Sequence, residues 1–114
     1  MFEKDLKIGF LLDFYGEVLS ERKRLVLDGY YNADLSLAEI AEEIGISRQG
    51  VRELIKKAEE ELRFYEEKLG LAARFRNTQA CAERLLALME DAEVSDDLRH
   101  AAQELAAAVR AEAE

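Results

Sequence analysis

Two helix-starting signals lie within Ser36–Lys57, with Gly45 between them, and these three features restrict the backbone more than those of any other segment do. Ser36 and Glu39 have the spacing of a capping box, in which each side chain accepts a hydrogen bond from the other residue's backbone N–H. Gly45 follows where a helix needs a left-handed residue to end, and Ser47 can cap the next helix. The segment therefore predicts two helices joined by a tight turn.

The small and apolar residues of this segment have the spacing of a helix-turn-helix. Such a motif needs a small residue where the helices cross, which Ala41 supplies, and a glycine four residues later, which Gly45 supplies. Ile46 can fill the corner, and the branched Val51 can hold the second helix. The predicted motif core comprises Ile40, Ala41, Ile44, Gly45, Ile46, Val51 and Leu54.

The positions that the motif turns outward along its second helix are polar and mostly basic. They are Ser47, Arg48, Gln49, Arg52, Lys56 and Lys57, with Glu53 as the one intervening acid. These residue types contact phosphates and base edges, so we predict a nucleic-acid-binding surface here. The alternative is a tight corner of a helical bundle with an ordinary solvated charged face.

Charge is distributed unevenly along the chain. The net charge of the whole chain is −9, which is a poor match for a polyanionic partner. Residues 36–57 carry four basic and four acidic side chains, whereas residues 58–114 carry seven basic and fourteen acidic ones. Local charge can outweigh net charge, so the short basic stretch keeps nucleic-acid binding open.

The remaining sequence also predicts helices. The chain contains no proline, and strong helix formers dominate it, which favours an all-α fold. We expect a first helix over about Glu3–Tyr15, with an apolar face that includes Leu6, stopped by Gly16. A second helix, Glu21–Asp28, is capped by Ser20 and is followed by a connection over residues 30–34.

A long helix, Arg48 to about Leu69, carries a heptad-like apolar seam at Val51, Ile55, Ala58, Leu62, Tyr65 and Leu69. Either it packs against the chain's own first, fifth and sixth helices, or it pairs two copies as a coiled coil. The first is favoured, because the seam is shorter than three to four heptads.

Two further helices are expected after a break at Gly70. The first, about Ala72–Ala92, has a seam at Cys81, Leu85, Leu88 and Ala92. The second is capped by Ser95 and has a seam at Leu98, Ala102, Leu105 and Val109. We expect a helix-turn-helix domain over residues 1–71 and a helical extension over 72–114 that packs on it or forms a homodimer interface.

Several functions are not indicated by the sequence. His100 is expected to be exposed and Cys81 to be buried, so neither predicts a metal site or a catalytic nucleophile. No glycine-rich phosphate loop follows a strand. No apolar run is long enough for a membrane span, and one cysteine suits a reducing cytoplasm. We expect a cytoplasmic protein that is not an enzyme and binds no cofactor or metal.

The order of segments resembles two known groups of proteins. Leu19–Lys57 looks like the promoter-reading C-terminal domain of bacterial sigma factors, through Leu19–Leu27, Tyr30-Tyr31, Leu35–Ala41 and Ile44–Val51. The preceding Leu6–Gly16 and the following Ile55–Leu71 resemble the YlxM family of small bacterial helix-turn-helix proteins. The resemblance is close over Lys4–Leu71, and residues 72–114 match only in being helical.

The resemblance implies an all-α, winged-helix-like motif and a role beside the signal recognition particle. YlxM-like proteins are linked to that particle's pathway, with its GTPase and its RNA as proposed partners. Ser47, Arg48, Gln49 and Arg52 match the start of the recognition helix. Gly50 departs from the family pattern, in which alanine or threonine is more common, and it removes a contact to bases.

Three hypotheses follow. The first is a regulatory helix-turn-helix protein of the signal recognition particle pathway that binds the particle's GTPase or RNA. The second is a conventional DNA-binding transcriptional regulator that uses the same surface in a major groove. The third is a protein-interaction adaptor whose motif no longer binds nucleic acid, which the glycine at position 50 and the acidic downstream region favour.

Overall fold

Helices account for nearly all of the computed structural model, which describes residues 4–111. They are α1 (Leu6–Tyr15), α2 (Glu21–Leu27), α3 (Leu37–Ile44), α4 (Arg48–Leu69), α5 (Leu71–Glu90) and α6 (Asp96–Ala111). A 3-10 turn follows α1 and a π turn follows α2. The all-α fold is thus confirmed. These residues include no strand, so the winged-helix-like expectation is wrong, because a wing is a β-hairpin.

Serine N-caps begin four of the helices, as the sequence predicts. The Oγ atoms of Ser20, Ser36, Ser47 and Ser95 accept from the backbone N–H groups of Lys23, Glu39, Gly50 and Leu98 at 3.3, 3.1, 2.9 and 3.1 Å. The N-cap of helix α1 is instead Asp5, whose carboxylate accepts a hydrogen bond from the Lys7 N–H at 3.0 Å. The predicted start at Glu3 lies outside the described residues.

The helices end in two different ways. Gly45 and Gly70 take left-handed φ values of 75° and 62° and end α3 and α4 as expected. Gly16 does not, because its φ is −55° and the chain continues into the 3-10 turn. The connection expected over residues 30–34 is also largely wrong, since Asp28–Asn32 forms a π turn that buries Tyr30.

Helix α4 is the centre of the first compact unit, Met1–Gly70, and α1, α2 and α3 pack against it. Its seam is fully buried at Val51, Ile55, Ala58 and Leu62. Tyr65 is half-buried, and Leu69 is exposed. The seam therefore serves intramolecular packing against α1, α2 and α3, and α2 is a partner that the sequence did not predict. Leu6 does not belong to the core, since 88% of it is exposed.

Tyrosine hydroxyls hold the carboxylates along α4. Tyr31 donates to the buried Glu59, and burial and this hydrogen bond raise the pKa of the Tyr31 hydroxyl. Tyr15 donates to Glu66 at 2.6 Å. These bonds fix α4 against α1 and against the π turn, because each joins residues far apart in sequence.

Glu61 of α4 has two partners on the same unit. The Lys23 Nζ lies 2.8 Å from one of its carboxylate oxygens, and the Tyr65 hydroxyl donates to the other at 2.7 Å. These hydrogen bonds hold the pKa of Glu61 below its usual range. The ion pair adds a link between α2 and α4.

The second compact unit, Leu71–Glu114, consists of α5 and α6 packed on each other. Its buried side chains are small, with Ala82 and Met89 on α5 and Ala102, Ala106 and Val109 on α6. The Arg99 guanidinium donates to the Met89 carbonyl oxygen at 3.0 Å and satisfies the end of α5.

The seams predicted for these two helices are only partly buried. Cys81, Leu85 and Leu88 are exposed, so the predicted burial of Cys81 is wrong. Leu98 and Leu105 are also exposed. On α5 the buried stripe is the neighbouring one, with Ala82 and Met89, whereas on α6 Ala102 and Val109 of the predicted seam are buried. Within residues 4–111, no helix combines the length and apolar character that crossing a bilayer requires.

Candidate nucleic-acid interface

The turn between α3 and α4 is fixed by one carbonyl group. The N–H groups of Gly45 and Ile46 both donate to the Ala41 carbonyl oxygen, at 2.9 and 3.1 Å. This pair of hydrogen bonds requires a left-handed backbone at Gly45. Glycine suits the position, because any L side chain would be strained in that conformation. The start of α4 is thus held in a set position relative to α3.

The residues of the motif core differ in their burial. Ile40, Ala41 and Val51 are buried, and Val51 has no exposed surface. Ile44, Ile46 and Leu54 are half-buried around the turn, and Gly45 is exposed on its outside. The small residue at 41 thus lies where α3 packs against α4, which is what the motif requires.

An open cleft of about 660 Å³ lies between the first turns of α3 and α4. The residues that line it are Ser36, Leu37 and Ala38 from α3, and Ser47, Arg48, Gln49 and Arg52 from α4. Four of the six residues predicted to bind nucleic acid line this cleft. The α3 residues were not among those predicted, although the capping box at Ser36 marked that helix start.

Two helix N-termini and two guanidinium groups converge on the cleft. The N-terminus of a helix carries a partial positive charge, because its first N–H groups have no partner within the helix. Arg48 and Arg52 add full charges and bidentate donors suited to phosphate oxygens. The arrangement can therefore hold anionic groups such as backbone phosphates.

The basic residues of α4 do not all share one side of the helix. Arg48, Arg52 and Lys56 are spaced by four residues and form one row along the exposed surface. Lys57 is turned by about 100° from Lys56 around the helix axis. We therefore place Lys56 in continuation of the cleft and Lys57 beside it.

The side chain of Gln49 is already engaged. Its amide nitrogen donates to the Glu53 carboxylate at 3.1 Å, and Glu53 lies one turn further along α4. This contact occupies one of the two amide donors that would otherwise read an adenine edge. Base readout by Gln49 therefore needs this hydrogen bond to be exchanged.

Gly50 fits its crowded position in the first turn of α4. An added Cβ atom would lie 3.2 Å from the Ser47 Oγ and 3.3 Å from the Ile46 Cδ1. The helix cap and the corner residue therefore leave little room for a side chain, so a larger residue must displace one of them. At Gly50 the surface of α4 therefore has no side chain that could contact a partner.

An acidic depression adjoins the cleft on α3, where the Glu39 carboxylate accepts from the Ser36 N–H at 3.1 Å. Leu35, Glu39, Glu42 and Glu43 line it, and the three carboxylates repel polyanions. The positive surface is thus confined to the cleft and the adjoining row on α4. The described residues include no group of three His, Cys, Asp or Glu side chains placed to hold a metal ion.

These features define a helix-turn-helix protein, with two capped helices, a left-handed glycine between them and a basic second helix. The family model described as "Putative helix-turn-helix protein, YlxM / p13 like", UPF0122, matches residues 2–105. The chain belongs to this family, which confirms the resemblance noted from the sequence.

Individual relatives agree with this membership. The UPF0122 protein of Symbiobacterium thermophilum is 41% identical, over 94% of this chain and 95% of its own length. The UPF0122 protein of Halalkalibacterium halodurans is 42% identical, over 79% of this chain and 94% of its own. The similarity therefore extends over nearly the full length of both relatives.

Proposed function

We propose that this protein is a non-enzymatic regulatory protein that binds a nucleic-acid backbone through the cleft between α3 and α4. The observation that supports it most directly is the convergence of two helix N-termini with Arg48 and Arg52 on one open cleft. Lys56 extends the same row of charge along α4. The protein acts in the cytoplasm and needs no cofactor.

Phosphate contacts carry this binding more than base contacts do. Gln49 is bonded to Glu53, and Gly50 has no side chain to contact a base. Affinity then depends on charge and backbone shape, so binding varies little with sequence and falls with salt. This behaviour disfavours an operator that is read by its bases, and the choice between RNA and DNA rests on the resemblance to YlxM proteins.

The resemblance to YlxM proteins favours the signal recognition particle as the setting of this activity. The partner is then the particle's RNA, its GTPase, or the complex of both. A DNA-binding transcriptional regulator is the second candidate, because the same cleft and row of cations fit a major groove. A homodimer would place two such surfaces on one molecule.

An adaptor that binds only protein is the third candidate. The observation that favours it is the excess of acidic side chains after residue 57, beside a positive surface confined to one cleft. In that case the GTPase binds without RNA, and the cations of α4 contribute little.

The test measures binding of the full chain to signal recognition particle RNA, to random duplex DNA and to the GTPase by fluorescence anisotropy across a range of salt. We expect RNA binding that weakens steeply with salt. Arg52→Ala should cost about tenfold in affinity, because a hydrogen bond to a charged group is worth roughly 1.5 kcal/mol or more. It should also lower the salt slope by about 0.7 to 0.9 per lost phosphate contact.

Lys68→Ala is the matched control, because Lys68 lies on the same helix but in its last turn. It removes one positive charge and should leave affinity and salt slope nearly unchanged. Equal losses for Arg52→Ala and Lys68→Ala would mean that net charge, not the cleft, drives binding. Binding to DNA alone would favour the transcriptional regulator, and binding to the GTPase alone would favour the adaptor.

A further inference from the structure

Five side chains of the second unit form an exposed apolar surface, which we call the leucine face. Its residues are Cys81, Leu85 and Leu88 on α5 and Leu98 and Leu105 on α6. The exposed fractions of the four leucines are 40%, 64%, 54% and 53%. Single exposed leucines are common on proteins, but a cluster on one side marks a contact surface.

Three members of the leucine face, Cys81, Leu85 and Leu105, lie along one groove, and helical spacing places Leu88 and Leu98 on the same rows beyond it. A groove of about 190 Å³ between α5 and α6 is lined by Thr78, Cys81, Ala82, Leu85, Leu105 and Val109. The Thr78 hydroxyl donates to the Arg74 carbonyl oxygen at 2.8 Å, so its polar atom is satisfied within α5. The groove therefore presents an apolar surface that can bury a partner's side chains.

The interior of this unit is built mainly from small side chains. Its buried residues are Ala72, Ala82, Met89, Ala102, Ala106 and Val109, with Phe75 and Leu86 half-buried on α5. Burial of leucine contributes about 1.5–3 kcal/mol, and alanine contributes much less. Units of this length are marginal, and oligomerisation is one way in which they gain a core.

We propose that a second copy of this chain covers the leucine face and forms an antiparallel four-helix bundle with α5 and α6. The spacing of the face fits this occupant. Thr78, Cys81, Leu85 and Leu88 step by three and four residues along α5, which is the repeat of helices that pack side by side. This inference does not depend on the proposed nucleic-acid binding.

Charges beside the leucine face select one arrangement of the two copies. Arg84 directly precedes Leu85 on α5, while Asp97 and Glu104 directly precede Leu98 and Leu105 on α6. Each of these charged residues therefore lies on the outer edge of its leucine stripe, away from the groove. The edge of α5 is positive and the edge of α6 is negative.

A two-fold axis parallel to the helices places α5 of one copy on α6 of the other, and it brings opposite charges together at both contacts. A two-fold axis perpendicular to the helices pairs α5 with α5 and α6 with α6, which brings like charges together. Opposite charges next to an apolar seam choose the partner and its orientation. The first arrangement is therefore the one we propose.

The experiment measures the mass of the full chain by sedimentation equilibrium over a wide concentration range. We expect a monomer–dimer equilibrium that Leu105→Asp weakens by at least tenfold. Leu25→Asp is the matched control, because Leu25 is also 53% exposed but lies on α2 of the other unit. A monomer at all concentrations, or equal effects of both variants, would overturn the proposal.

Charge reversal tests the arrangement. Arg84→Glu alone and Glu104→Arg alone should each weaken the dimer several-fold, and the double variant should recover most of the loss. Failure of the double variant to recover would rule out the pairing of α5 with α6 across the interface. Helical content from circular dichroism is compared for all variants.

The unmodified protein provides a measurement that needs no variant. Cys81 is the one cysteine of the chain and lies within the leucine face. Its alkylation rate should fall at least tenfold as the concentration rises through the dimer transition. A dimer that leaves this rate unchanged would use another surface, and the proposal would be wrong.

Discussion

The helices of Met1–Gly70 and those of Leu71–Glu114 are buried to very different degrees. All seven of the largest fully buried side chains belong to the first unit, among them Tyr15, Leu27 and Leu62. The second unit buries four alanines, Met89 and Val109 and leaves five leucines exposed. A recognition helix needs a rigid support, whereas exposed leucines suit contact with another molecule. This difference agrees with our two proposals, a binding site on the first unit and a contact surface on the second.

Core truncation should have the largest effect and should differ most between the units. Leu62→Ala removes a side chain with no exposed surface and should lower the free energy of unfolding by about 2–5 kcal/mol. Leu88→Ala removes one that is 64% exposed and should cost less than about 1 kcal/mol in the monomer. Urea unfolding at low protein concentration measures both. Similar losses would contradict the contrast between the two interiors.

Removal of one hydroxyl group should lower the stability by an intermediate amount in the first unit and leave it unchanged in the second. Tyr31→Phe leaves the buried Glu59 carboxylate without this donor and should cost about 1–3 kcal/mol. Thr78→Val is the counterpart on α5, where the hydroxyl bonds only to the carbonyl oxygen of Arg74 on an exposed surface. We expect a change near zero there. Thermal unfolding of the two variants compares them directly.

Loss of the ion pair between Lys23 and Glu61 should change the free energy of unfolding least, and the size of the change should depend on pH. The pKa of Glu61 is held below its ordinary value by Lys23 and Tyr65, so its contribution to stability is present above pH 4.5. This contribution is lost as the pH falls through the lowered pKa, because the carboxylate of the folded protein is then protonated. Glu61→Gln should therefore destabilise the protein by roughly 0.5–1 kcal/mol at neutral pH and by little at low pH.

Glu104→Gln is the comparison variant in the second unit. Glu104 lies 2.7 Å from His100, but both side chains are largely exposed, and such pairs contribute little. Because Glu104 also lies at the edge of the proposed dimer interface, urea unfolding of both variants at neutral and at low pH is measured at concentrations at which the chain is monomeric. A loss at neutral pH for Glu104→Gln as large as that for Glu61→Gln would contradict the view that only the first unit uses its charges for packing.

Local signals allowed much of the fold to be predicted from the sequence. The caps at Ser20, Ser36, Ser47 and Ser95 and the stops at Gly45 and Gly70 depend on contacts within a few residues. Such contacts do not depend on the rest of the fold, so the ends of the helices can be predicted from the local sequence. The π turn after α2 was missed, because it depends on burial of Tyr30 by distant helices.

The candidate site was predicted only in part. Arg48, Gln49 and Arg52 follow from the motif, since the buried positions of α4 determine which residues face outward. The contribution of Ser36, Leu37 and Ala38 to the cleft was missed, because the spacing of the motif core does not show how close the first turns of α3 and α4 come to each other. The bond from Gln49 to Glu53 was also missed, since both side chains have several rotamers.

The sequence by itself determined where helices begin and end, that a helix-turn-helix joins α3 to α4, and which side of α4 carries its cations. These properties follow from backbone caps and from the period of a helix. Only the tertiary structure decided which of two neighbouring apolar stripes on α5 is buried. Both stripes have helical spacing, and the sequence does not show which one faces α6; the structure buries the stripe with Ala82 and Met89 and leaves Leu85 and Leu88 exposed.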